Sequence, residues 1–455
     1  MFDLYAPINR YMVYPLYYWK NGDKRLYYWR NLEKQQYWEL SKLEEHQLAR
    51  LQKIVKYAYE HTIYYRRVMS ERGLTPDSIK NLKDIEKLPV LTKKIIQDHG
   101  DELLSDEYKK SDLIQDASGG STGKPTVFYK DLDRHNIRRA DQIRHDRWSG
   151  WDLGKRSALI WGAQRDLKSI QSTKEHVISR YIARHWELDA FEMTNEKMAS
   201  FVQELEAIRP TMILGYANAL YTFAIYVLNN FPNHKIKLQG IISSAETLSQ
   251  EKRQVIERAF SCKVLNRYGS REVGLIASEC KDQSGLHINA DNLLVEVTAG
   301  EVSLPVGERG DIVVTDFLNM GMPFIRYRLE DVGFMSKDKC DCGRSLPLLG
   351  AVEGRTGDFF ISESGTMIHG EYFTHLFYGI EKINQFQLIQ HDLQTVELKI
   401  VSTDSSLLSL EPIVAKIKSM LGSNISVDIV FQKEIPTPKS GKFLFTMSKV
   451  KPTYR

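Results

Sequence analysis

A run of fourteen residues from Ser118 to Asp131, SGGSTGKPTVFYKD, carries three glycines, several hydroxyls and Lys124. Glycine lets backbone N–H groups turn toward a ligand, and hydroxyls beside a lysine suit an anion such as a phosphate. The spacing excludes the G-x-x-x-x-G-K-[ST] phosphate loop of the NTPases: three residues separate Gly119 from Gly123, and Pro125 follows Lys124. What comes next, TVFYKD, is β-branched and aromatic, so it predicts a strand where that loop would lead into a helix. A hairpin is expected, DLIQDAS against TVFYKD, with the glycine-rich run as its loop. From the residues alone this loop is either a phosphate cradle or a flexible surface turn.

A second set of residues suits a metal. Cys280 and His287 are separated by six residues, and Cys340 and Cys342 form a C-x-C pair further on. Three thiolates and an imidazole are the donors of a closed, tetrahedral zinc, although C-x-C also occurs as ordinary thiols. Such a zinc would be structural, because four protein ligands leave no position for water. Cys262 stands apart and reads as a buried thiol.

These residues need a scaffold. From Ser41 to Arg72 the pattern is helical, with Leu48, Leu51, Val55 and Ala58 on one stripe, and Thr92 is placed as an N-cap. After the hairpin a basic helix is expected around Arg134 to Trp148, its Arg134, Arg138, Arg139, Arg144 and Arg147 reading first as a solvated face and second as a set of phosphate contacts. Strands then alternate with helices: SALIWG, NEKMASFVQELEAI, TMILGY, NALYTFAIYVLNN, IKLQGIISS, QEKRQVIERAF capped by Ser249, and CKVLNRYG. That alternation predicts a mostly parallel sheet with helices on both faces, whose ligands bind beyond the carboxyl ends of the strands. Gly215–Tyr216, Ser244–Glu246 and Tyr268–Glu272 all fall at such ends. NLLVEVT and GDIVVTDF alternate in the two-fold manner of an antiparallel sheet or barrel. Beyond EGRTGD, the strands TVELKIV and ISVDIVF flank the helix EPIVAKIKSML, which suggests a small α+β domain.

Composition narrows the function classes. A chain of 455 residues with 42% hydrophobic content can bury cores for two or three domains. A formal charge of +4 is small for that length and argues against a nucleic-acid binder built on a basic face. No run of about 18 apolar residues exists, and no basic region leads an apolar one at the start, so a cytoplasmic location is expected. Leu4 to Lys20, LYAPINRYMVYPLYYWK, is crowded with Tyr, Trp and cations. That composition suits the inner face of a membrane, or an aromatic arm packed on its own domain.

The ordered series SGGSTGKPT, SSAETL, YGSRE, FIRYRLED, EGRTGD and PTPKSGKF resembles the signature motifs of the acyl-adenylate-forming superfamily. Within it the chain is most similar to the phenylacetate–CoA ligase family and its CapK-like, capsular-polysaccharide branch, over nearly the whole length. LQKIVKYAYEHTIYYRRVM also resembles that family's N-terminal helix. The resemblance implies an α/β fold in two parts. Residues 1–354 would form a large adenylation domain, parallel sheets with helices plus a small β-barrel-like part, and residues 355–455 a small, mobile α+β lid.

It also implies roles. Ser118, Gly119, Gly120, Ser121, Thr122, Gly123 and Lys124 would hold the β- and γ-phosphates of ATP. Ser244, Ala245 and Glu246 would line the adenine site, Tyr268 would stack on the base, and Gly269 and Ser270 complete that turn. Glu272 matches the Mg2+ ligand, Asp331 the carboxylate that binds the ribose hydroxyls, and Arg355 the junction arginine. Lys442 matches the lid lysine that bridges the substrate carboxylate and the nucleotide. Some relatives carry a similar cysteine/histidine cluster, in line with Zn2+ at Cys280, His287, Cys340 and Cys342. Two positions depart from the pattern. Arg271 stands where threonine is usual, and would either grip the α-phosphate bidentately or turn into an ion pair. Gly357 replaces a common aspartate, leaving Asp358 as the pivot.

The implied activity is ATP-dependent conversion of a carboxylic acid to an acyl-adenylate, then acyl transfer to coenzyme A or to an amine, as in building a surface polysaccharide. The alternative is a non-catalytic nucleotide-binding or scaffold relative, against which Lys442 and Asp331 speak. Trp161, Tyr216 and Ala217 are candidate acid-pocket residues.

Overall fold

The computed structural model describes residues 3–118, 126–161, 178–190, 193–355, 359–363, 367–369, 373, 376–377, 380, 383–402, 409–436 and 445–450. The chain divides into two compact units. One comprises Met1–Ser118, Pro125–Leu329 and Gly333–Val352, the other Gly119–Lys124, Glu330–Val332 and Glu353–Arg455.

In the larger unit, the helices α1 (Arg25–Gln35), α2 (Leu40–His61) and α3 (Ile63–Glu71) precede the hairpin of β1 (Ile114–Ser118) and β2 (Thr126–Lys130). The expected antiparallel pairing forms, with Ser118 opposite Thr126. Next come α4 (Leu132–Trp148), β3 (Ser157–Trp161), β4 (His185–Asp189), α5 (Asn195–Ile208), β5 (Met212–Tyr216), α6 (Ala217–Asn230), β6 (Gly240–Ser244), α7 (Gln250–Phe260) and β7 (Val264–Ser270). The strands continue as β8 (Gly274–Glu279), β9 (Leu286–Ile288), β10 (Leu293–Ala299), β11 (Val302–Ser303), β12 (Gly310–Asp316), β13 (Tyr327–Met335) and β14 (Leu348–Arg355). One twelve-stranded sheet collects them in the order β11-β10-β12-β13-β14-β9-β8-β7-β6-β5-β3-β4.

The fold is therefore α/β, and its sheet changes character at β7. From β4 to β7 all neighbours are parallel. The inner strands β3, β5 and β6 are largely buried and their sequences are mostly apolar, whereas the edge strand β4, HWELD, is mostly half-exposed and carries no apolar run. Ile213 and Ile241 face α5, α6 and α7 through Phe201, Phe223 and Phe260, whereas Met212 and Ile242 face Ile143 and Trp151. Beyond β7 the pairings to β8 and β9 are antiparallel, as is β10 with β12. There Val295, Val297, Ile312 and Val314 pack with Leu51, Ile54 and Val55 of α2. The antiparallel strands join the parallel ones in a single hydrogen-bonded sheet. Thr92 and Ser249 cap their helices as read from the sequence, and Thr194 caps α5 likewise, each accepting the N–H three residues on, worth about 1 kcal/mol apiece.

One expectation fails. The arginines of α4 are not all a solvated face: Arg139 is exposed, but Arg134 and Arg144 are 2% and 0% exposed. Arg134 Nε lies 2.5 Å from Asp316 Oδ2, and Arg144 Nη1 lies 2.5 Å from Asp291 Oδ2. Buried guanidinium groups persist because carboxylates from β12 and the β9–β10 turn neutralise them, although Arg134 Nη1 and Arg144 Nε are left without a hydrogen-bond partner.

The smaller unit contains the pair β15 (Phe359–Ile361) and β16 (Met367–His369). It also holds β17 (Ile383–Gln390), β18 (Thr395–Ser402), α8 (Glu411–Leu421), β19 (Ser426–Phe431) and β20 (Thr446–Ser448). The last four strands form a sheet in the order β19-β18-β17-β20. Here α8 is the crossover between parallel β18 and β19, burying Ile413, Ile417 and Leu421 against Leu398 and Ile400.

Candidate functional site

The carboxyl ends of three neighbouring parallel strands stand level. Tyr216 of β5 is in register with Ser244 of β6, which is in register with Arg267 of β7. Immediately beyond them lie Ala217, Ala245 to Glu246, and Tyr268 to Ser270. Ala245 has a left-handed backbone (φ 69°), so the chain turns sharply after Ser244. Glu246 Oε2 accepts the backbone N–H of Asn218 at 2.7 Å. A carboxylate at the first turn of α6 meets the positive end of the helix and ties two strand-end loops together. On the other side of β5, the rings of Trp161 and Tyr216 lie 4.1 Å apart, and Ala217 is buried beside them. Sequence-read pocket candidates thus share one corner of the sheet.

The β7–β8 turn presents the next group. A bulge falls between Tyr268 and Gly269. A Cβ on Gly269 would come within 2.6 Å of the Gly274 carbonyl oxygen, and Gly274 itself has φ +80°. Both positions therefore call for glycine. The turn leaves Glu272 6% exposed, and its Oε1 accepts the hydroxyl of buried Tyr327 at 2.9 Å. That bond fixes the carboxylate's orientation, as a ligand for a hard cation requires. Asp331 follows Tyr327 along β13 and is half-buried. Arg271 Nη1 lies 3.4 Å from Asp116 Oδ1.

Asp116 also binds Lys130 Nζ at 2.9 Å across the hairpin. Burial, then the charge of Arg138, pushes the buried Lys130 ammonium down to about 8. Burial likewise brings the half-buried Arg138 down, to about 10, with Arg139 and Arg134 adding to the effect. Burial opposes ionisation of Asp116, but Lys130 outweighs it and holds the carboxyl below its ordinary value. Lys130, Arg138 and Arg271 thus share the field of Asp116, a local excess of positive charge at the foot of the glycine-rich hairpin. Sequence reading missed Lys130, Asp116 and Tyr327. The hairpin register held the signal for the first two: Asp116 opposes Phe128, so Lys130 is its diagonal neighbour on the same face.

Among the remaining sequence-read residues, Gly119 to Lys124, Gly357, Asp358 and Lys442 lie outside the described residues. Arg355 is the last residue of β14.

The four metal-type residues come together. Cys280 follows β8, His287 sits in β9, and Cys340 and Cys342 lie between β13 and β14. Their donor atoms all fall within 4.8 Å of one another. Cys280 Sγ is 3.5 Å from Cys340 Sγ, and Cys342 Sγ is 3.3 Å from His287 Nε2. The edges of a tetrahedron around zinc, with bonds near 2.3 Å, are about 3.8 Å, so the set fits that ion. His287 Nδ1 approaches the Leu346 carbonyl at 3.4 Å, which leaves Nε2 as the ligand atom. Burial lowers the His287 imidazole to about 4 and raises the Cys280 thiol to about 12. Cys262, half-buried, is also pushed up to about 12 by burial.

Residues 360–449 match the CapK C-terminal domain family. Protein CapK of Staphylococcus aureus is 26% identical over 431 residues, covering 91% of each chain. The phenylacetate–coenzyme A ligase of Thermus thermophilus is 25% identical over 435 residues, covering 88% of this chain and 95% of its own. The chain is a relative of CapK and of the phenylacetate–CoA ligases. Among solved structures, 2-hydroxyisobutyryl-CoA ligase in its postadenylation state with an acyl-AMP superposes with a TM-score of 0.69 at 19% identity, over 91% of each chain. The relationship therefore spans both units of this CapK relative, and its fold is that of an acyl-CoA ligase.

Proposed function

We propose that the chain is an AMP-forming acid ligase. It joins a carboxylic acid to the α-phosphate of ATP with release of pyrophosphate, then passes the acyl group to coenzyme A. The observation that carries this reading is the convergence of Tyr216, Ser244–Glu246 and Tyr268–Glu272 at level strand ends, beside a cation-rich hairpin. Two anions must meet in adenylation, and only a site with surplus positive charge and oriented donors lowers that barrier. Glu272 would hold Mg2+, which offsets phosphate charge when bound. The nucleotide roles carried over by resemblance go to Ser118 to Lys124, Asp331, Arg355 and Lys442. Coverage of 95% of a phenylacetate–coenzyme A ligase supports the thioester product. An amine acceptor is the second reading, favoured by the CapK C-terminal domain match at 360–449. Cys280, His287, Cys340 and Cys342 would hold a structural Zn2+ with no open position.

ATP–pyrophosphate exchange across a panel of carboxylic acids tests the first half-reaction. Exchange should depend on one acid class and on Mg2+, and mass spectrometry with coenzyme A or amines should then show an acyl thioester. An amide product would move the chain to the second reading, and no exchange with any acid would favour a non-catalytic relative.

A further inference from the structure

The N-terminal segment forms one continuous rod, α-helical at Tyr5–Ile8, π-helical at Asn9–Val13 and α-helical again at Tyr14–Lys20. Pro15 accounts for the wide turn. A proline inside a helix lacks its N–H, and its ring collides with the carbonyl four residues back; a π-turn at that point relieves both.

One side of the rod is fastened to the larger unit. Buried Asn9 donates from Nδ2 to the carbonyls of Tyr181 and Ile182, at 2.9 and 3.2 Å. Arg10 pairs with Asp152, and Tyr14 is buried with Ile143, Trp151 and Leu153. The Ala6 carbonyl packs so tightly on Gly154 (φ +85°) that no side chain fits there.

The opposite side is bare and apolar. Leu4, Ile8, Tyr11, Met12, Leu16 and Trp19 are 78, 49, 70, 67, 62 and 77% exposed. Their spacing, i, i+4, i+7, i+8, i+12 and i+15, is that of one helical face. Six large apolar side chains in a row on the surface mark a contact site.

Charge indicates the occupant. Each carboxylate in the first thirty-five residues is engaged by an arginine: Asp3 by Arg184 at 2.9 Å, Asp23 by Arg25 at 2.5 Å, Glu33 by Arg147 at 2.7 Å. Lys20, Arg30 and Lys34 meanwhile remain exposed. An apolar face with Trp and Tyr at its surface and the exposed cation Lys20 at its end, on a segment whose carboxylates are all neutralised, has the chemistry of an interfacial helix, whose counter-surface is apolar inside and anionic at the edge. No helix among the described residues is long and apolar enough to cross a membrane. We infer that the Leu4–Trp19 face docks in the plane of an anionic lipid surface, burying its apolar side chains at the acyl boundary while the exposed cations meet the headgroups.

Co-sedimentation of the full chain with vesicles tests this. Protein should pellet with mixed phosphatidylglycerol/phosphatidylcholine vesicles, far less with phosphatidylcholine alone, and binding should weaken as salt rises. The double substitution Leu16→Glu with Trp19→Glu should cut partitioning about tenfold or more, with circular dichroism and thermal midpoint unchanged because both side chains are exposed. Should that variant unfold, Lys20→Glu with Lys34→Glu, which touches no apolar residue, should still lower binding to the anionic vesicles. Failure of the unmodified chain to bind anionic vesicles at low salt overturns the inference, as does unaltered binding by folded charge variants. A concentration-dependent dimer dissolved by the first double substitution would assign the face to a second copy and equally overturn it.

Discussion

The two ends of β8 hold opposite kinds of chemistry. All six residues from Gly274 to Glu279 are buried, a span of about 20 Å. At its start, the turn from β7 offers Arg271 and Glu272, with Lys130, Arg138 and Asp116 close by. Just past its end, Cys280 opens the thiol and imidazole cluster. The first group is oxygen and nitrogen charge in excess of its partners, fit for a ligand that comes and goes. The second is soft donors already gathered within one coordination radius, fit for an ion that stays. The contrast teaches that one rigid strand can carry a site built for exchange and a site built for permanence, set apart by donor chemistry and not by fold.

Removing the lysine that the resemblance assigns to adenylation should have the largest effect. Lys442→Ala should slow adenylation by about a hundredfold or more, the scale of one lost preorganised electrostatic contact. Given synthetic acyl-adenylate, the same variant should transfer the acyl group nearly as well as the unmodified protein. Single-turnover assays of the two half-reactions check this, and equal damage to both would confine the lysine to stability.

Breaking the permanent end should cost stability before activity. Purified protein should hold about one zinc per chain after dialysis, and Cys342→Ser should lose it with a fall in the thermal midpoint of several degrees or more. Metal analysis that finds none in folded, reduced protein rejects the site.

A smaller effect sharpens the contrast through pH. With the Lys130 ammonium lowered to about 8, anion affinity at the hairpin should fall as pH rises through 8, by about tenfold at most over one unit. Arginine does not titrate there, so Lys130→Arg should flatten the profile of ATP affinity, read by calorimetry between pH 7 and 9. The sign for folding is opposite. A cation depressed in the folded state makes stability rise between about pH 8 and the ordinary lysine value of 10.5.

Much of the scaffold was legible because its causes are local. The inner parallel strands β3, β5 and β6 are mostly apolar, α7 begins at Ser249, and the hairpin is bounded by its glycines. The cysteine and histidine set was legible as well, since few other chemistries use those donors at that spacing. The arginines of α4 were not. Nothing within one turn of Arg134 or Arg144 announces that Asp316 and Asp291 will cover them, because those carboxylates arrive through long-range packing. Lys130 escaped for a related reason: its meaning depends on which residue sits diagonally across the hairpin. Tyr327 hid inside FIRYRLED, where its hydroxyl has no sequence neighbour to explain it, and its partner Glu272 lies 55 residues back.

The ion pair between Arg134 and Asp316 also bears on how the chain is made. The partners are 182 residues apart, so at ribosomal rates the arginine, with Asp141 of its own helix 3.8 Å away, waits roughly 10 to 40 s for the carboxylate that binds its Nε to be synthesised. Until then α4 cannot bury that side chain, and the apolar faces of α2 and of Phe128 have no β10–β12 surface to close on. The nascent amino-terminal half must therefore persist as a sticky, unsealed intermediate. Its safe handling depends on factors that shield exposed chain during translation, and a nonsense mutation before Asp316 should yield aggregate and no smaller folded product.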